Sequence, residues 1–292
     1  MRAQNNCKKV LQPLQRMFDR LINFAREEIF LKRRMHHIFK EDGLSFVLAI
    51  DHAAMMPSPD LKDIGHIIGE AVQGGVDAFL ASYGTVKNFQ ASFANRGIIL
   101  RADGGVTPLK KPMGKMECLF TAQDALRVGA DAMLAMGYPG SDNNEQSLAY
   151  LARLAADCEA WNLPLCAEML PYGFEKHEGI DTRSVENIAY ASRLGVELGA
   201  DFIKTEFVGG ERFREVADNC PAPVLVLGGG KAVSEEEMMN HIYGALQNGA
   251  KGIIMGRNIC RHRNIRGICR AIATIIHEGA SPSDAMGIFN EQ

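Results

Sequence analysis

The sequence predicts an α/β protein built as a single (β/α)8 barrel with an N-terminal helical extension, and three features carry that expectation. One helix-to-strand joint recurs four times. Eight short apolar runs are spaced from residue 45 to about 280, with helix-length segments between them. A glycine-rich turn and a Gly-Arg pair close the last two of those runs. A barrel of this kind commonly needs ~250 residues, and the chain has 292.

The elements can be taken in order. Residues 1–40 stand apart, because Leu14, Met17, Leu21, Phe24 and Phe30 recur at near-helical spacing between charges. They read as one or two amphipathic helices outside the repeat, so the expected domains are a helical extension at 1–40 and a barrel at 41–292. Phe46-Val47-Leu48-Ala49-Ile50 is continuously apolar, as a strand buried on both faces must be, and Asp51-His52 ends it. A helix is expected from Leu61 to Gln73. Then comes the joint, Gly75-Val76-Asp77 followed by an apolar run. It returns at Gly129-Ala130-Asp131, at Gly199-Ala200-Asp201 and, with lysine for aspartate, at Gly249-Ala250-Lys251. The glycine suits a left-handed helix terminus, and the next run is the next strand. The remaining strands lie at Ile98–Arg101, Pro164–Leu170 and Pro223–Leu227. Strand starts therefore fall near 46, 78, 98, 131, 164, 201, 223 and 252. A doubly wound open sheet is the alternative. It would offer a glycine-rich turn after its first strand, where this chain has Asp51-His52-Ala53.

Bulk composition narrows the partners. A net charge of −3 gives no basic field for nucleic acid. No run of ~18 apolar residues exists, so no membrane span is expected. The seven cysteines are scattered without CxxC spacing, which fits reduced packing residues in a cytoplasmic protein. No cofactor or metal is called for. His52, Asp103 and His177 would be the set for a metal-dependent reading, but no HxH or HExxH spacing supports it.

In such barrels the reacting groups stand at the C-terminal ends of strands. Those ends carry Asp51 and His52, Arg101 and Asp103, Glu168 with Tyr172 in the following loop, and Lys204 with Glu206. Gly228-Gly229-Gly230 with Lys231 and Gly256-Arg257-Asn258 complete the set. Lys204 sits inside Phe202-Ile203-Lys204-Thr205, an apolar strand. Burial disfavours a charged amine, and a neutral amine can attack a carbonyl to form an imine. The alternatives are pairing with a buried carboxylate or snorkelling to the strand end. Asp51, Glu168, Tyr172 and His52 are the groups able to move the proton such chemistry requires, and Asp51 could instead hold Lys204 or bind substrate hydroxyls. Gly228, Gly229, Gly230, Gly256 and Arg257 form the expected phosphate cradle, where exposed backbone N–H groups and one guanidinium meet the anion. A non-catalytic barrel that binds a phosphorylated ligand is the second function class. It has little use for a desolvated lysine.

With Asp51-His52, Asp201-Phe202-Ile203-Lys204-Thr205, Pro221-Ala222-Pro223-Val224, Gly228-Gly229-Gly230-Lys231 and Gly256-Arg257-Asn258-Ile259 in place, the chain resembles the archaeal-type class I fructose-bisphosphate aldolase family. That family includes aminodideoxyheptulosonate synthases and the thiolase that processes phosphorylated autoinducer-2. The resemblance spans about residues 30–280. It implies a Schiff-base lysine at Lys204, a polar partner at Asp51, and a phosphate cradle at Gly229, Gly230, Gly256 and Arg257. It implies a small phosphorylated ketone or aldehyde as substrate, and homo-oligomers such as pentameric rings or decamers. Two departures stand out. Ala53 replaces the glycine of an Asp-His-Gly motif. Met169-Leu170-Pro171-Tyr172-Gly173 puts Leu170 where family aldolases carry a tyrosine acid/base. Tyr172 is the expected substitute, with Glu168 or His52 next. The thiolase branch, which lacks that tyrosine, is the alternative reaction.

Overall fold

The computed structural model describes residues 32–110, 114–174, 177–228 and 234–290. Of the helical extension expected over residues 1–40, residues 1–31 lie outside them, and Arg33–His37 forms a 3-10 helix. Residues Arg34–Gln292 form one compact unit. Its strands are β1 Ser45–Ala49, β2 Ala78–Ala81, β3 Gly97–Arg101, β4 Ala132–Gly137, β5 Leu165–Met169, β6 Phe202–Thr205, β7 Val224–Leu227 and β8 Gly252–Met255. Each starts within one residue of its sequence-based position. They close into a parallel barrel in sequential order, β8 pairing back onto β1.

Helices cover the outside. They are α1 Ile64–Gln73, α2 Tyr83–Phe89, α3 Ala122–Arg127, α4 Asn144–Ala160, α5 Val185–Glu197, α6 Phe213–Asn219 and α7 Glu235–Gln247. After β8 come α8 Arg257–Cys260, α9 Ile265–Glu278 and α10 Pro282–Asn290. The first helix is shorter than expected, because Pro59–Leu61 forms a separate 3-10 turn. Asp63, Ser82, Thr121, Ser184, Ser234 and Asn264 each accept a backbone N–H from the first turn they precede, which fixes where these helices begin. A two-stranded ribbon, Asp103–Gly104 with Glu117–Cys118, follows β3 and has no counterpart in the sequence-based reading.

Strand alternation divides the apolar residues into two layers. Phe46, Leu48, Leu100, Ala167 and Ile203 join the helices in the main core. Their neighbours point into the barrel, where Phe39 meets Phe202 edge to face at 5.6 Å between ring centroids. At the top of this inner column the residues become polar. Met136, Glu168 and Lys204 lie in one row across β4, β5 and β6, and Arg101 ends β3.

The repeated joint has a mechanical role. Gly75, Gly129, Gly199 and Gly249 all adopt positive φ, between 77° and 101°, as a left-handed helix exit requires. In three copies the aspartate then bonds a backbone N–H at the start of the preceding strand. Asp77 takes that of Phe46 at 2.7 Å, Asp131 that of Ile98 at 3.0 Å and Asp201 that of Leu165 at 2.8 Å. Each carboxylate thus pins an odd strand to the even strand after it. The fourth copy has Lys251, and there the chain closes on backbone alone. Gly252 runs at φ 133°, and a Cβ on it would sit 1.9 Å from the Ser45 carbonyl oxygen. β8 can therefore approach β1 only with glycine at this place.

Asp77 also anchors helix α9, near its C-terminal end. Its Oδ2 lies 2.9 Å from His277 Nε2, while Asp42 holds His277 Nδ1 at 2.7 Å. Burial opposes the imidazolium, but Asp77 and then Asp42 outweigh it and raise the His277 pKa. A raised folded-state pKa means that the native protein holds the proton more tightly than the unfolded chain. The stabilisation is complete below about pH 6.5, the ordinary value, and is lost as pH rises through the raised one. Thermal melts across that window should show the native protein losing its advantage over His277→Gln as pH rises. Parallel curves would remove His277 as the cause.

Candidate active site

A cavity of about 600 Å³ opens at the C-terminal ends of the strands. Lys204 reaches it from β6 and is only 6% exposed. Its Nζ lies 2.8 Å from Glu168 Oε1, its row neighbour on β5. The lysine is therefore half of a buried pair, one of the two alternatives left open by the sequence. The pair continues inward. Glu168 Oε2 accepts from Arg101 Nη1 at 3.3 Å, and the same nitrogen donates to Asp51 Oδ2 at 3.1 Å. Arg101 Nε donates to Asp103 Oδ1. Asp103 Oδ2 in turn accepts the Met136 N–H at 2.8 Å and the Tyr150 hydroxyl at 3.1 Å.

Arg101 is thus the hub, 3% exposed and enclosed by three carboxylates. Burial opposes its charge. Asp103 first, then Asp51 and Glu168, overcome that and hold the guanidinium above its ordinary pKa. The consequence is geometric as well as electrostatic. A planar guanidinium with fixed N–H directions sets where the Asp51 and Glu168 carboxylates point. Arg101 was visible as a strand end, but not as the centre. The burial argument applied to Lys204 would have found it, since it too ends an apolar strand.

The expected residues divide into those brought together and those not. Asp51, His52, Glu168, Lys204, Gly228, Gly256 and Arg257 all line the cavity. Gly229 and Gly230, with Lys231, lie outside the described residues. His52 Nε2 bonds Asp60 Oδ2 at 2.9 Å, and Arg261 Nε stands 3.5 Å from the same oxygen. Burial tends to raise the Asp60 pKa, but the His52 bond and the Arg261 charge leave it below the ordinary value. Asn258 Nδ2 reaches the Gly228 carbonyl at 3.5 Å and links the turns after β7 and β8.

Tyr172 is a correction. It has a positive φ of 60°, and its ring lies over Gly140 and 4.9 Å from the His177 ring. Its N–H bonds the Pro139 carbonyl at 2.7 Å. The left-handed turn that closes the loop after β5 sends the side chain to the neighbouring loop, away from the cavity. Among the described residues no tyrosine lines the cavity. Tyr138 lies just behind the wall. Burial, then the Asp103 charge, pushes its phenol well above the ordinary range, and its hydroxyl faces the sulfurs of Met136 at 2.9 Å and Met116 at 3.0 Å. The residues considered for a metal have separate engagements: His52 with Asp60, Asp103 with Arg101, and His177 with Tyr172.

Known proteins are similar to this chain in sequence and in fold. The 2-amino-3,7-dideoxy-D-threo-hept-6-ulosonate synthase of Halobacterium salinarum is 30% identical over 255 residues, covering 87% of this chain and 94% of that protein. The 3-hydroxy-5-phosphonooxypentane-2,4-dione thiolase of Klebsiella pneumoniae is 30% identical over 265 residues, covering 90% of this chain and 86% of its own. An archaeal fructose-1,6-bisphosphate aldolase, solved with its catalytic lysine covalently bound to a carbinolamine intermediate, superposes with a TM-score of 0.75 at 28% identity. It covers 83% of this chain and 98% of that one. A family model described as DeoC/LacD family aldolase matches residues 45–262, from the first barrel strand to beyond the last, and this chain belongs to that family.

Proposed function

We propose that this aldolase works through an imine at Lys204, on a phosphorylated ketone whose phosphate rests against Gly228, Gly256 and Arg257. The observation that carries the reading is the Lys204–Glu168 pair at 2.8 Å, on the wall of a cavity that Gly256 and Arg257 also line. Attack on a carbonyl needs a neutral amine, and Glu168 is the base already in contact with Lys204. The amine adds to the ketone, water leaves, and the imine withdraws electrons from the adjacent C–C bond. In the cleavage direction the substrate hydroxyl gives up its proton, the bond breaks, and an enamine and an aldehyde form. Protonation of the enamine carbon and hydrolysis of the imine release the ketone and restore the amine. In the synthetic direction the enamine carbon bonds the aldehyde carbon, and the aldehyde oxygen takes the proton. Glu168 and Asp51, both fixed by Arg101, are the carboxylates placed to exchange these protons; His52, tied to Asp60, serves the phosphate end.

Leu170 occupies the place of the tyrosine, and this favours a second reading, acyl transfer on a phosphorylated dione. Both readings pass through Lys204, so product analysis separates them. Among the described residues no helix is long and apolar enough to cross a membrane. We further propose a homo-oligomer of pentameric rings or a decamer, working in the cytoplasm. Light scattering gives its mass.

The deciding experiment is borohydride reduction with dihydroxyacetone phosphate, fructose bisphosphate or a phosphorylated dione, followed by intact mass and peptide mapping. One adduct on Lys204 is the expected result. Absence of any adduct, together with turnover of the same ketones, would overturn the imine.

A further inference from the structure

The chain after β1 and the chain after β8 meet on one buried carboxylate. The two strands pair, so the segments that follow them lie side by side. The first segment carries His52 and then Asp60, which sits in the 3-10 turn Pro59–Leu61. Leu61 belongs to the main core and anchors that turn. The Asp60 side chain is 6% exposed, and its Oδ2 accepts from His52 Nε2 at 2.9 Å with Arg261 Nε 3.5 Å away. Helix α8 lies in the field of the same carboxylate. Burial, then the charges of Asp60 and Asp51, push the thiol of its last residue, Cys260, up to about 12. His52 and Arg261 both line the cavity, as Gly256 and Arg257 do, whereas Asp60 is not part of its lining.

This carboxylate decides what each of its partners can offer. Ionised, Asp60 has no proton to give, so His52 donates through Nε2 and keeps Nδ1 as the ring nitrogen for a ligand. A guanidinium held through Nε keeps its two terminal nitrogens for another anion. The Arg261 side chain is 52% exposed, and a long exposed side chain costs conformational entropy to hold in one place. A buried carboxylate beside its Nε offsets part of that cost. A carboxylate on the cavity surface would repel a phosphate. One set behind an imidazole and a guanidinium orders both without touching the anion.

We infer that Asp60 is a positioning residue of the phosphate end, acting through His52 and Arg261. It sets two contacts for the substrate's phosphate in addition to Gly228, Gly256 and Arg257. Arg261 supplies charge from its terminal nitrogens, and the protonated His52 ring donates from Nδ1 to a phosphate oxygen. Asp60 itself touches neither the substrate nor Lys204, so its effect falls on binding and not on the step at the lysine. This inference rests on the phosphate placement proposed above and is independent of the imine.

The test uses the whole protein with dihydroxyacetone phosphate and its uncharged counterpart, dihydroxyacetone, trapped by borohydride over a range of ketone concentrations. Asp60→Asn keeps the shape of the side chain and removes its charge. We expect it to raise the half-saturating concentration of dihydroxyacetone phosphate at least tenfold and to leave the adduct yield at saturation unchanged. The dihydroxyacetone curve should stay within twofold of native, as a loss confined to phosphate binding requires. In a His52→Gln, Arg261→Gln background, Asp60→Asn should add less than twofold, because its partners are gone. Should Asp60→Asn not fold, Arg261→Gln at its half-exposed side chain must shift the phosphorylated curve at least fivefold, and a native-like curve would overturn the inference. Calorimetric titration with inorganic phosphate reads the same end without an imine, and Asp60→Asn should weaken it at least fivefold. Unchanged phosphate affinity, or an equal loss for both ketones, would overturn the inference and leave the imine standing. No adduct with either ketone, together with weakened binding of inorganic phosphate, would remove the imine and support the role of Asp60.

Discussion

Lys204→Met is expected to abolish borohydride trapping and to slow turnover by about ten-thousandfold or more, because no other described amine lines the cavity. The contrast that gives this meaning is Glu168→Gln. The glutamine side chain can still fill the space and accept from Arg101, but it cannot take a proton. It should leave the adduct formable and slow its appearance by about 10²- to 10⁴-fold, the usual range for a general base. Stopped trapping at timed intervals separates the two variants: no adduct at any time for the first, late adduct for the second. Equal rates for native and Glu168→Gln would reassign the proton transfer to Asp51. Melting curves must accompany both, since Lys204→Met removes a cation from a cluster that holds three carboxylates.

Arg101→Met is expected to have the largest effect on stability, about 3–5 kcal/mol in urea unfolding. The guanidinium is 3% exposed, and its removal leaves Asp51, Asp103 and Glu168 buried with Lys204 as the one remaining cation among them. Truncating one partner of a buried ionic network costs far more than the network itself contributes, because the stranded charges stay desolvated. Arg101→Met combined with Asp103→Asn should recover part of the loss. The two changes are strongly coupled, as expected of groups that share a hydrogen bond. A double variant no more stable than the single one would show that the cluster stabilises through packing instead.

The barrel was legible in the sequence because its signals are local. A strand buried on both faces must be apolar throughout, a helix leaving through a left-handed turn favours glycine, and both recur at regular spacing. That is why the eight strand positions fall within a residue of the observed ones. The inward placement of Lys204 followed from the same alternation, with Ile203 on the outer face beside it. The ribbon after β3 was not legible, since its strands are two residues long and carry no period. Tyr172 was misplaced for a different reason. Nearness in sequence to the missing tyrosine says nothing about direction, and a single positive φ turns the side chain to another loop.

The amino-acid sequence by itself determined the architecture, the position of the lysine on its strand, and the family motifs at the strand ends. Only the tertiary structure decided what those groups face. Arg101 meets Asp51 across 50 positions and Glu168 across 67, and such a pairing exists only once the barrel has closed in register. The cavity wall of Met116, Met136 and Leu170 is likewise assembled from β4, the ribbon and the end of β5, none of which signals it alone. Periodicity is a property of neighbours along the chain, whereas charge pairing and pocket lining are properties of neighbours across it.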